Sequence, residues 1–154
     1  MSAMIVAIDG PAGSGKSSVS KDAARRLGFS YYDTGAAYRA LAWAAMTAGI
    51  DLTDQDAVLA LQERSDYRAS EDPDNQTFVI DGEDVTQAIR GGDVSGAVSA
   101  IAQHTLVRAG LVDHFRKVLG STCAWLLQSI LSGGRGLFTP VLASKATSSH
   151  ATVL

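Results

Sequence analysis

Short apolar runs alternate with amphipathic segments over the first 50 residues, and this order predicts strands followed by helices. The run Met4-Ile5-Val6-Ala7-Ile8 predicts a buried strand of a parallel sheet. From Lys16 onward, apolar residues recur every fourth position, which predicts a helix that ends at Gly28. A strand over residues 29–33 and a helix from about Thr34 repeat the pair. This order favours an α/β fold in which helices flank a parallel sheet.

The next segment predicts one helix and one hairpin. A helix is predicted over residues 54–64, with Thr53 and Asp56 at the spacing of a capping box. Residues 77–80 favour a strand, and the following Asp81-Gly82 is a hairpin-turn signal. A return strand is therefore predicted near Val85.

Two further helices are predicted over residues 94–102 and 106–119. The second presents one apolar face, made of Val107, Leu111, Phe115 and Val118. The sequence shows no internal repeat and no heptad run.

Composition narrows the class of protein. The 154 residues are 46% hydrophobic and 19% charged, which suits one folded domain with a real core. The net charge of −3 argues against a nucleic-acid backbone binder. Cys123 is the only cysteine, so an intramolecular disulfide is excluded and a reducing compartment fits. With no long apolar run and no basic signal region at Met1, we expect a soluble cytoplasmic protein without a membrane partner.

The charges are unevenly distributed. All 16 acidic residues lie at or before Asp113, and residues 1–117 carry a net charge of −5. Residues 118–154 carry Arg135 and Lys145 and no acidic residue. The two parts therefore differ in composition, with a boundary near residues 118–120.

The strongest chemical signal lies between the first strand and the first helix. Residues Gly10-Pro11-Ala12-Gly13-Ser14-Gly15-Lys16-Ser17 match G-x-x-x-x-G-K-[ST] at every fixed position. Glycines let successive N–H groups point inward, and the following helix adds the positive end of its dipole, so the segment suits phosphate. In this pattern Lys16 reaches the β- and γ-phosphates, and the Ser17 hydroxyl ligates Mg²⁺. The alternative is an ordinary glycine-rich turn with a solvated lysine, but the strand before it and the helix after it favour the phosphate loop.

A second polar group follows the second strand, in Asp33-Thr34-Gly35-Ala36-Ala37-Tyr38-Arg39. A hydroxyl and helix N–H groups can hold a second substrate, Tyr38 can cover a base or ribose, and Arg39 can fork onto a phosphate. The alternative is a capped helix with Tyr38 in the core and Arg39 in solvent. The residues alone leave both interpretations open.

With these two blocks the sequence resembles the bacterial cytidylate kinases, which are nucleoside monophosphate kinases. The resemblance extends in family order over residues 4–117 and includes three more blocks: Gly82-Glu83-Asp84-Val85-Thr86-Gln87-Ala88-Ile89-Arg90, Val94-Ser95 with Val98-Ser99, and Val107-Arg108-Ala109-Gly110-Leu111-Val112. It implies a parallel sheet flanked by helices of the P-loop NTPase type, incomplete at the C-terminal end of this chain. It also implies transfer of the γ-phosphate of ATP to CMP or dCMP with Mg²⁺, and an insert at about residues 67–92 that helps close over the monophosphate.

The resemblance assigns site residues position by position. The ATP phosphates would be held by Gly10, Pro11, Ala12, Gly13, Ser14, Gly15, Lys16, Ser17 and Ser18. CMP would be held by Thr34, Tyr38, Arg39, Ser99 and Arg108. Lys16 and Arg39 are the expected catalytic residues and Ser17 the expected Mg²⁺ ligand. Without the resemblance, Ser99 and Arg108 are more simply a helix-surface serine and a solvated helical arginine.

Four other polar residues have no assigned catalytic or binding role. Asp9 and Asp33 suit a neighbourhood of Mg²⁺ or phosphate, but turn and capping roles explain them equally well. His104 and His114 are interpreted as surface helix or loop residues, because phosphoryl transfer by positioning and charge needs no histidine.

The resemblance stops after about residue 117. The family continues with a strand, a Gly-Arg-Asp motif, an arginine-bearing lid and an acidic cluster, whereas Gly134-Arg135-Gly136 only echoes that motif and no family-like strand is expected. We therefore divide the chain into a kinase part, residues 1–117, and a divergent tail, residues 118–154. Loss of the reading frame around residues 118–130 is the favoured explanation. A real, divergent segment is the alternative, in which residues 126–131 pair as a short core element.

Two functions follow as expectations. The first is a monomeric (d)CMP kinase of pyrimidine nucleotide metabolism that acts on small molecules and on no nucleic acid. The second is an inactive nucleotide-binding fragment of the same family that lacks the C-terminal catalytic arginines.

Overall fold

The computed structural model describes residues 4–8, 14–119 and 124–128, which divide into two compact units. Unit 1 comprises residues 1–34, 71–75 and 118–154, and unit 2 comprises residues 35–70 and 76–117. The elements are β1 (Met4–Ile8), α1 (Lys16–Leu27), β2 (Ser30–Asp33), α2 (Thr34–Thr47), α3 (Gln55–Arg64), β3 (Tyr67–Ala69), β4 (Phe78–Ile80), β5 (Glu83–Asp84), a 3₁₀ turn (Ala88–Arg90), α4 (Gly92–Gln103), α5 (Thr105–Leu119) and β6 (Ala124–Gln128). Within these ranges, no helix is long and apolar enough to cross a membrane.

The sheet of unit 1 is parallel, as predicted, but its central strand was not expected. The strand order is β1-β6-β2, and β6 pairs in parallel with both neighbours. A strand thus follows residue 117 and joins the parallel sheet, where the sequence predicted no family-like strand. The short apolar run Ala124-Trp125-Leu126-Leu127 suits a strand with neighbours on both sides. The alternative that residues 126–131 pair as a core element comes closer, although the strand begins two residues earlier.

Helix α1 forms where it was predicted, but its buried face is a different one. The helix ends at Gly28, which adopts a left-handed conformation with φ of 66°. The residues that α1 buries are Ser20 and Ala24, whereas Val19 and Leu27 are 62% and 57% exposed. Ala24 packs with Tyr31 of β2 in the core of this unit, joined by Ile8, Ala23 and Phe29. The small side chains face the sheet, and the larger apolar ones face outward.

Residues 71–75 belong to unit 1 because they line the outer edge of β2. The Tyr31 N–H donates to the Glu71 carbonyl oxygen at 2.9 Å. The Ser30 hydroxyl donates to the Glu71 carboxylate at 3.0 Å, and the Arg25 guanidinium pairs with Asp74. The first of these contacts occupies a backbone N–H of β2 that an edge strand would otherwise leave unpaired, and the other two hold residues 71–75 in place by side chains.

In unit 2, helix α3 begins with a different cap from the one predicted. Its N-cap is Asp54, whose carboxylate accepts from the Ala57 N–H at 3.1 Å. Thr53 instead donates from its N–H and its hydroxyl to the Asp51 carboxylate, at 2.9 and 2.7 Å. The capping box of Thr53 and Asp56 is therefore wrong, because the preceding turn occupies Thr53 and leaves the adjacent aspartate as the cap.

The predicted hairpin is present in the segment expected to be the insert. Asp81 and Gly82 have φ values of 51° and 83°, which are the left-handed conformations of a type I′ turn. Strand β4 pairs with β5 across this turn and with β3 on its other side, both antiparallel. Val85 is buried just after β5 rather than in a strand.

The core of unit 2 is built from one face of each helix and from the hairpin strands. Helices α4 and α5 form as predicted, separated at His104, and Val107, Leu111 and Phe115 are buried. The other large buried side chains are Tyr38, Leu41, Val58, Leu61, Tyr67, Phe78, Ile80, Val85, Ile89, Val94, Val98, Ile101 and Val112.

Candidate functional site

The carboxyl ends of the three parallel strands of unit 1 lie at one edge of the sheet. Ile8, the last residue of β1, is in register with Gln128, and Gln128 is in register with Asp33 at the end of β2. The glycine-rich segment follows β1, and Asp33-Thr34 ends β2, so both predicted polar groups start from the same edge. In open α/β sheets, ligands bind outside the carboxyl ends of the strands.

The glycine-rich segment enters α1 through a left-handed residue. Gly15 has φ of 78°, and its carbonyl oxygen accepts from the Val19 N–H at 3.1 Å to close the first turn. A Cβ at this position would meet no atom within 4 Å, so glycine is favoured for its backbone conformation rather than for space. As the N-cap residue, Gly15 has no side chain to cap the first turn, which leaves room for a ligand's oxygen atoms at the positive end of the helix.

The structure places the predicted phosphate-binding side chains in the first turn of α1. Lys16 is half-buried, while Ser14, Ser17 and Ser18 are exposed. A half-buried ammonium beside a helix N-terminus adds charge where the helix dipole already favours an anion. The predicted Gly10, Pro11, Ala12 and Gly13 lie outside the described residues, as does Asp9.

A serine hydroxyl suits one of the expected ligands, Mg²⁺. Among the described residues, no three His, Cys, Asp or Glu side chains are grouped so as to hold a metal ion. Mg²⁺ bound with a nucleotide takes oxygen ligands, of which phosphates supply several and the protein one or two. The exposed Ser17 hydroxyl in the first turn of α1 provides one such oxygen, so the residues present fit this ion.

The residues after β2 are more buried than an open binding surface requires. Thr34 is fully buried and begins α2, and Asp33 and Arg39 are half-buried. Tyr38 is fully buried, and its ring packs against Phe115 with 6.4 Å between centroids. The alternative of a capped helix is therefore right in placing the Tyr38 ring in the core. It is only partly right for Arg39, which is half-buried rather than in solvent.

The charge of Arg108 acts on the Tyr38 hydroxyl within unit 2. Burial raises the pKa of the Tyr38 hydroxyl, and the charge of Arg108 partly offsets that rise. No described residue forms a hydrogen bond with the buried Tyr38 hydroxyl. Arg108 is half-buried in the first turn of α5, whereas Ser99 is exposed on α4. Of the predicted residues of unit 2, Tyr38 and Arg108 therefore interact through charge.

The two histidines of unit 2 have structural contacts. His104 lies between α4 and α5, and its Nε2 is 2.7 Å from the Leu52 carbonyl oxygen. His114 is half-buried on α5, with its ring between those of Tyr67 and Phe115, at 5.3 and 6.0 Å between centroids. Neither is a bare surface residue, so the interpretation as surface positions is only partly right.

Sequence reasoning missed two glutamines of α3. Gln62 is only 7% exposed, and its side-chain amide reaches the backbone of α5, as does the side chain of Gln55. A signal was present in the sequence: Gln62 shares the buried face of α3 with Val58 and Leu61, and a polar residue on an apolar face needs a hydrogen-bond partner.

Comparison with known proteins identifies the family. The family model described as cytidylate kinase matches residues 6–146, so the match continues beyond residue 117. A cytidylate kinase of Shouchella clausii is 48% identical over 137 residues, covering 89% of this chain and 58% of the relative. One from Geobacillus kaustophilus is 46% identical over 111 residues, covering 72% and 50%. One from Mycobacterium avium is 44% identical over 139 residues, covering 90% and 59%.

The chain thus spans 50 to 59% of the length of these curated relatives. The match covers α1, the polar residues after β2, and helices α4 and α5. With that coverage and identity, the chain belongs to the cytidylate kinase family.

Proposed function

We propose that this chain carries the nucleotide-binding parts of a (d)CMP kinase, which transfers the γ-phosphate of ATP to CMP or dCMP to give CDP or dCDP in pyrimidine nucleotide metabolism. The observation that carries the proposal is the shared edge of the parallel sheet, where the glycine-rich segment and Asp33-Thr34 both begin. Family membership supports the choice of CMP as acceptor.

The donor end of the proposed site is the N-terminus of α1. Gly15 turns the chain into the helix, and Lys16 and Ser17 occupy its first turn. Lys16 would neutralise charge on the β- and γ-phosphates, and the dipole of α1 would act in the same direction. Mg²⁺ bound with ATP would neutralise further phosphate charge, with Ser17 as its protein ligand. This assignment extends to the whole predicted segment, from Gly10 to Ser18.

The acceptor end is proposed from Thr34, Tyr38, Arg39, Ser99 and Arg108. A guanidinium can bind a phosphate through two parallel hydrogen bonds, which suits Arg39 to the acceptor phosphate. Ser99 and Arg108 would read the polar edge of cytosine. A buried hydroxyl without a partner costs about 1–3 kcal/mol, so a ligand or a bound water that satisfies Tyr38 recovers that energy.

The rate of transfer depends on cations that the sequence does not supply in the family's pattern. Transition-state charge on the transferred phosphoryl group must be stabilised, and an arginine in this role contributes about 10³–10⁵ in rate. The 154 residues contain no Gly-Arg-Asp block, although Gly134-Arg135-Gly136 is present. We therefore expect this chain to transfer phosphate far more slowly than complete members of the family.

A coupled assay of the purified chain with ATP, Mg²⁺ and CMP tests the proposal. We expect slow formation of CDP from CMP and still slower formation of UDP from UMP. We expect no CDP with Lys16→Met, since that variant removes the phosphate-binding charge. Equal turnover of UMP and CMP would reopen the choice of acceptor. Turnover at the rate of the complete relatives would contradict the expected role of the missing block.

A non-catalytic nucleotide-binding fragment of the same family is the second candidate. It is favoured by the absence of a Gly-Arg-Asp block from the 154 residues. ATP binding without any CDP formation, measured on one preparation, would select this candidate.

The setting of the proposed enzyme follows from composition. The net charge of −3 argues against nucleic-acid ligands, and the single cysteine fits a reducing compartment such as the cytoplasm. We further propose that the protein acts as a monomer on ATP and CMP or dCMP.

A further inference from the structure

Helix α3 holds α5 through two glutamine side chains placed seven residues apart. The Gln55 side-chain oxygen accepts from the Leu106 N–H at 3.2 Å. The Gln62 amide lies farther along, oriented so that its nitrogen donates to the Val107 carbonyl oxygen at 3.1 Å and its oxygen accepts from the Leu111 N–H at 2.7 Å. Residues seven apart lie on the same face of a helix, so one face of α3 makes both contacts.

The Gln62 contact is specific, because the amide binds both backbone groups of one hydrogen-bonding pair of α5. Val107 C=O and Leu111 N–H are the i and i+4 groups that pair in a regular α-helix. Gln62 is 7% exposed and Leu111 is fully buried, so solvent cannot replace these hydrogen bonds freely. A side-chain amide that binds both groups of such a pair fixes the local backbone geometry of the helix.

Gly110 makes this approach sterically feasible. A Cβ at position 110 would overlap the terminal amide of Gln62 and would lie 3.1 Å from its Cδ atom. Glycine inside a helix is unfavourable by itself. Its presence opposite Gln62 therefore matches the close packing of α3 on α5.

Arg108 follows Val107 directly and therefore lies between the two residues of α5 that Gln62 contacts. It is half-buried, its N–H donates to the His104 carbonyl oxygen at 3.0 Å, and its charge acts on Tyr38. His104 is in turn held to the Leu52 carbonyl oxygen. The turn of α5 that carries Arg108 is thus fixed before and after this residue.

We propose that Gln62 is a positioning residue for Arg108, and that it sets the direction in which this guanidinium meets a nucleoside monophosphate. The proposal rests on the proposed function, in which Arg108 binds CMP. Hydrogen bonds from a guanidinium are directional, so a shift of the turn that carries it weakens binding without removing the charge.

The test compares Gln62→Met with wild type by isothermal titration of the full chain with CMP and, separately, with ATP. Methionine keeps the length of the side chain and removes both hydrogen bonds to α5. We expect the Kd for CMP to rise about tenfold and the Kd for ATP to stay unchanged. The matched control is Gln103→Met at an exposed position of α4, which should change neither Kd.

The outcomes separate the two proposals. If wild type does not bind CMP, the proposed function fails, and the positioning role fails with it. If wild type binds CMP and Gln62→Met binds it equally well, the positioning role alone fails. Equal weakening for CMP and ATP would indicate a general loss of structure and would also overturn it.

A second variant keeps the test decisive if Gln62→Met does not fold. In an otherwise wild-type chain, Gly110→Ala should weaken CMP binding about tenfold, because the new methyl group displaces the Gln62 amide. In a Gln62→Ala background, the added Gly110→Ala should cause no further loss. The same weakening in both backgrounds would contradict a contact between the two positions.

Discussion

Helices α1 and α5 each carry a predicted ligand-binding cation in the first turn, Lys16 and Arg108, but they are held in place differently. Helix α1 buries only Ser20 and Ala24. Helix α5 buries Val107, Leu111 and Phe115, at 1% exposure or less, and receives hydrogen bonds from two glutamines of α3.

The difference shows which contacts determine the position of each helix. The position of α1 is set by the left-handed Gly15 at its start and by the packing of small side chains such as Ala24 on the sheet. The position of α5 is set by contacts with residues about 50 positions away. Ligand binding at α1 should therefore tolerate substitutions on the outer face of that helix. Ligand binding at α5 should be sensitive to substitutions in the core that packs against it.

The largest effect that sharpens this comparison is expected in the core of α5. Leu111→Ala should lower the free energy of unfolding by about 2–5 kcal/mol, because it removes a fully buried side chain and leaves a cavity. Urea denaturation followed by circular dichroism measures this. Leu106→Ala, at a position 50% exposed on the same helix, is the control and should cost less than about 1 kcal/mol.

The next effect concerns α3, on which the position of α5 depends. Asp54→Ala should lower the free energy of unfolding by about 1 kcal/mol, since the Asp54 carboxylate caps the Ala57 N–H. The same denaturation experiment on Thr53→Ala should show a smaller loss. A larger loss for Thr53→Ala would favour the capping box that the spacing predicts.

A pH effect should arise from α5. Burial, with the charge of Lys117, lowers the pKa of His114 below its usual 6.5. The unfolded chain therefore takes up the proton first as pH falls below about 6.5, and the folded state loses stability there. His114→Gln should reduce the fall in unfolding free energy between pH 7.5 and 5.5. An identical fall in both proteins would show that other groups cause it.

The smallest effect is expected on the outer face of α1. Val19→Ala should change the free energy of unfolding by no more than about 0.5 kcal/mol, because Val19 is 62% exposed. A loss above about 2 kcal/mol would mean that this face is covered in solution, and would remove the contrast between the two helices.

Local patterns predicted most of the elements but not their contacts. The β-branched run at Met4–Ile8, the apolar spacing of α1 and α5, and Asp81-Gly82 each specify a local conformation. The exposed face of α1 was missed, because spacing gives the period of a helix and not the partner that it packs against.

Contacts between distant residues account for what the sequence did not predict. β6 depends on pairing with β1 and β2, which no local pattern specifies. The partners of Gln62 lie about 45 residues away, and the burial of Tyr38 depends on Phe115. The phosphate-loop residues stay a prediction from the sequence alone, which was possible because the motif occupies eight consecutive positions.

The measurement that tests the account most directly is titration of wild type, Lys16→Met and Arg108→Met with ATP and with CMP. The account assigns the donor nucleotide to α1 and the acceptor to α5. Lys16→Met should therefore weaken ATP binding about tenfold or more and leave CMP binding unchanged, and Arg108→Met should do the reverse. If either variant weakens both ligands equally, or neither, the assignment of the two nucleotides to these helices is wrong.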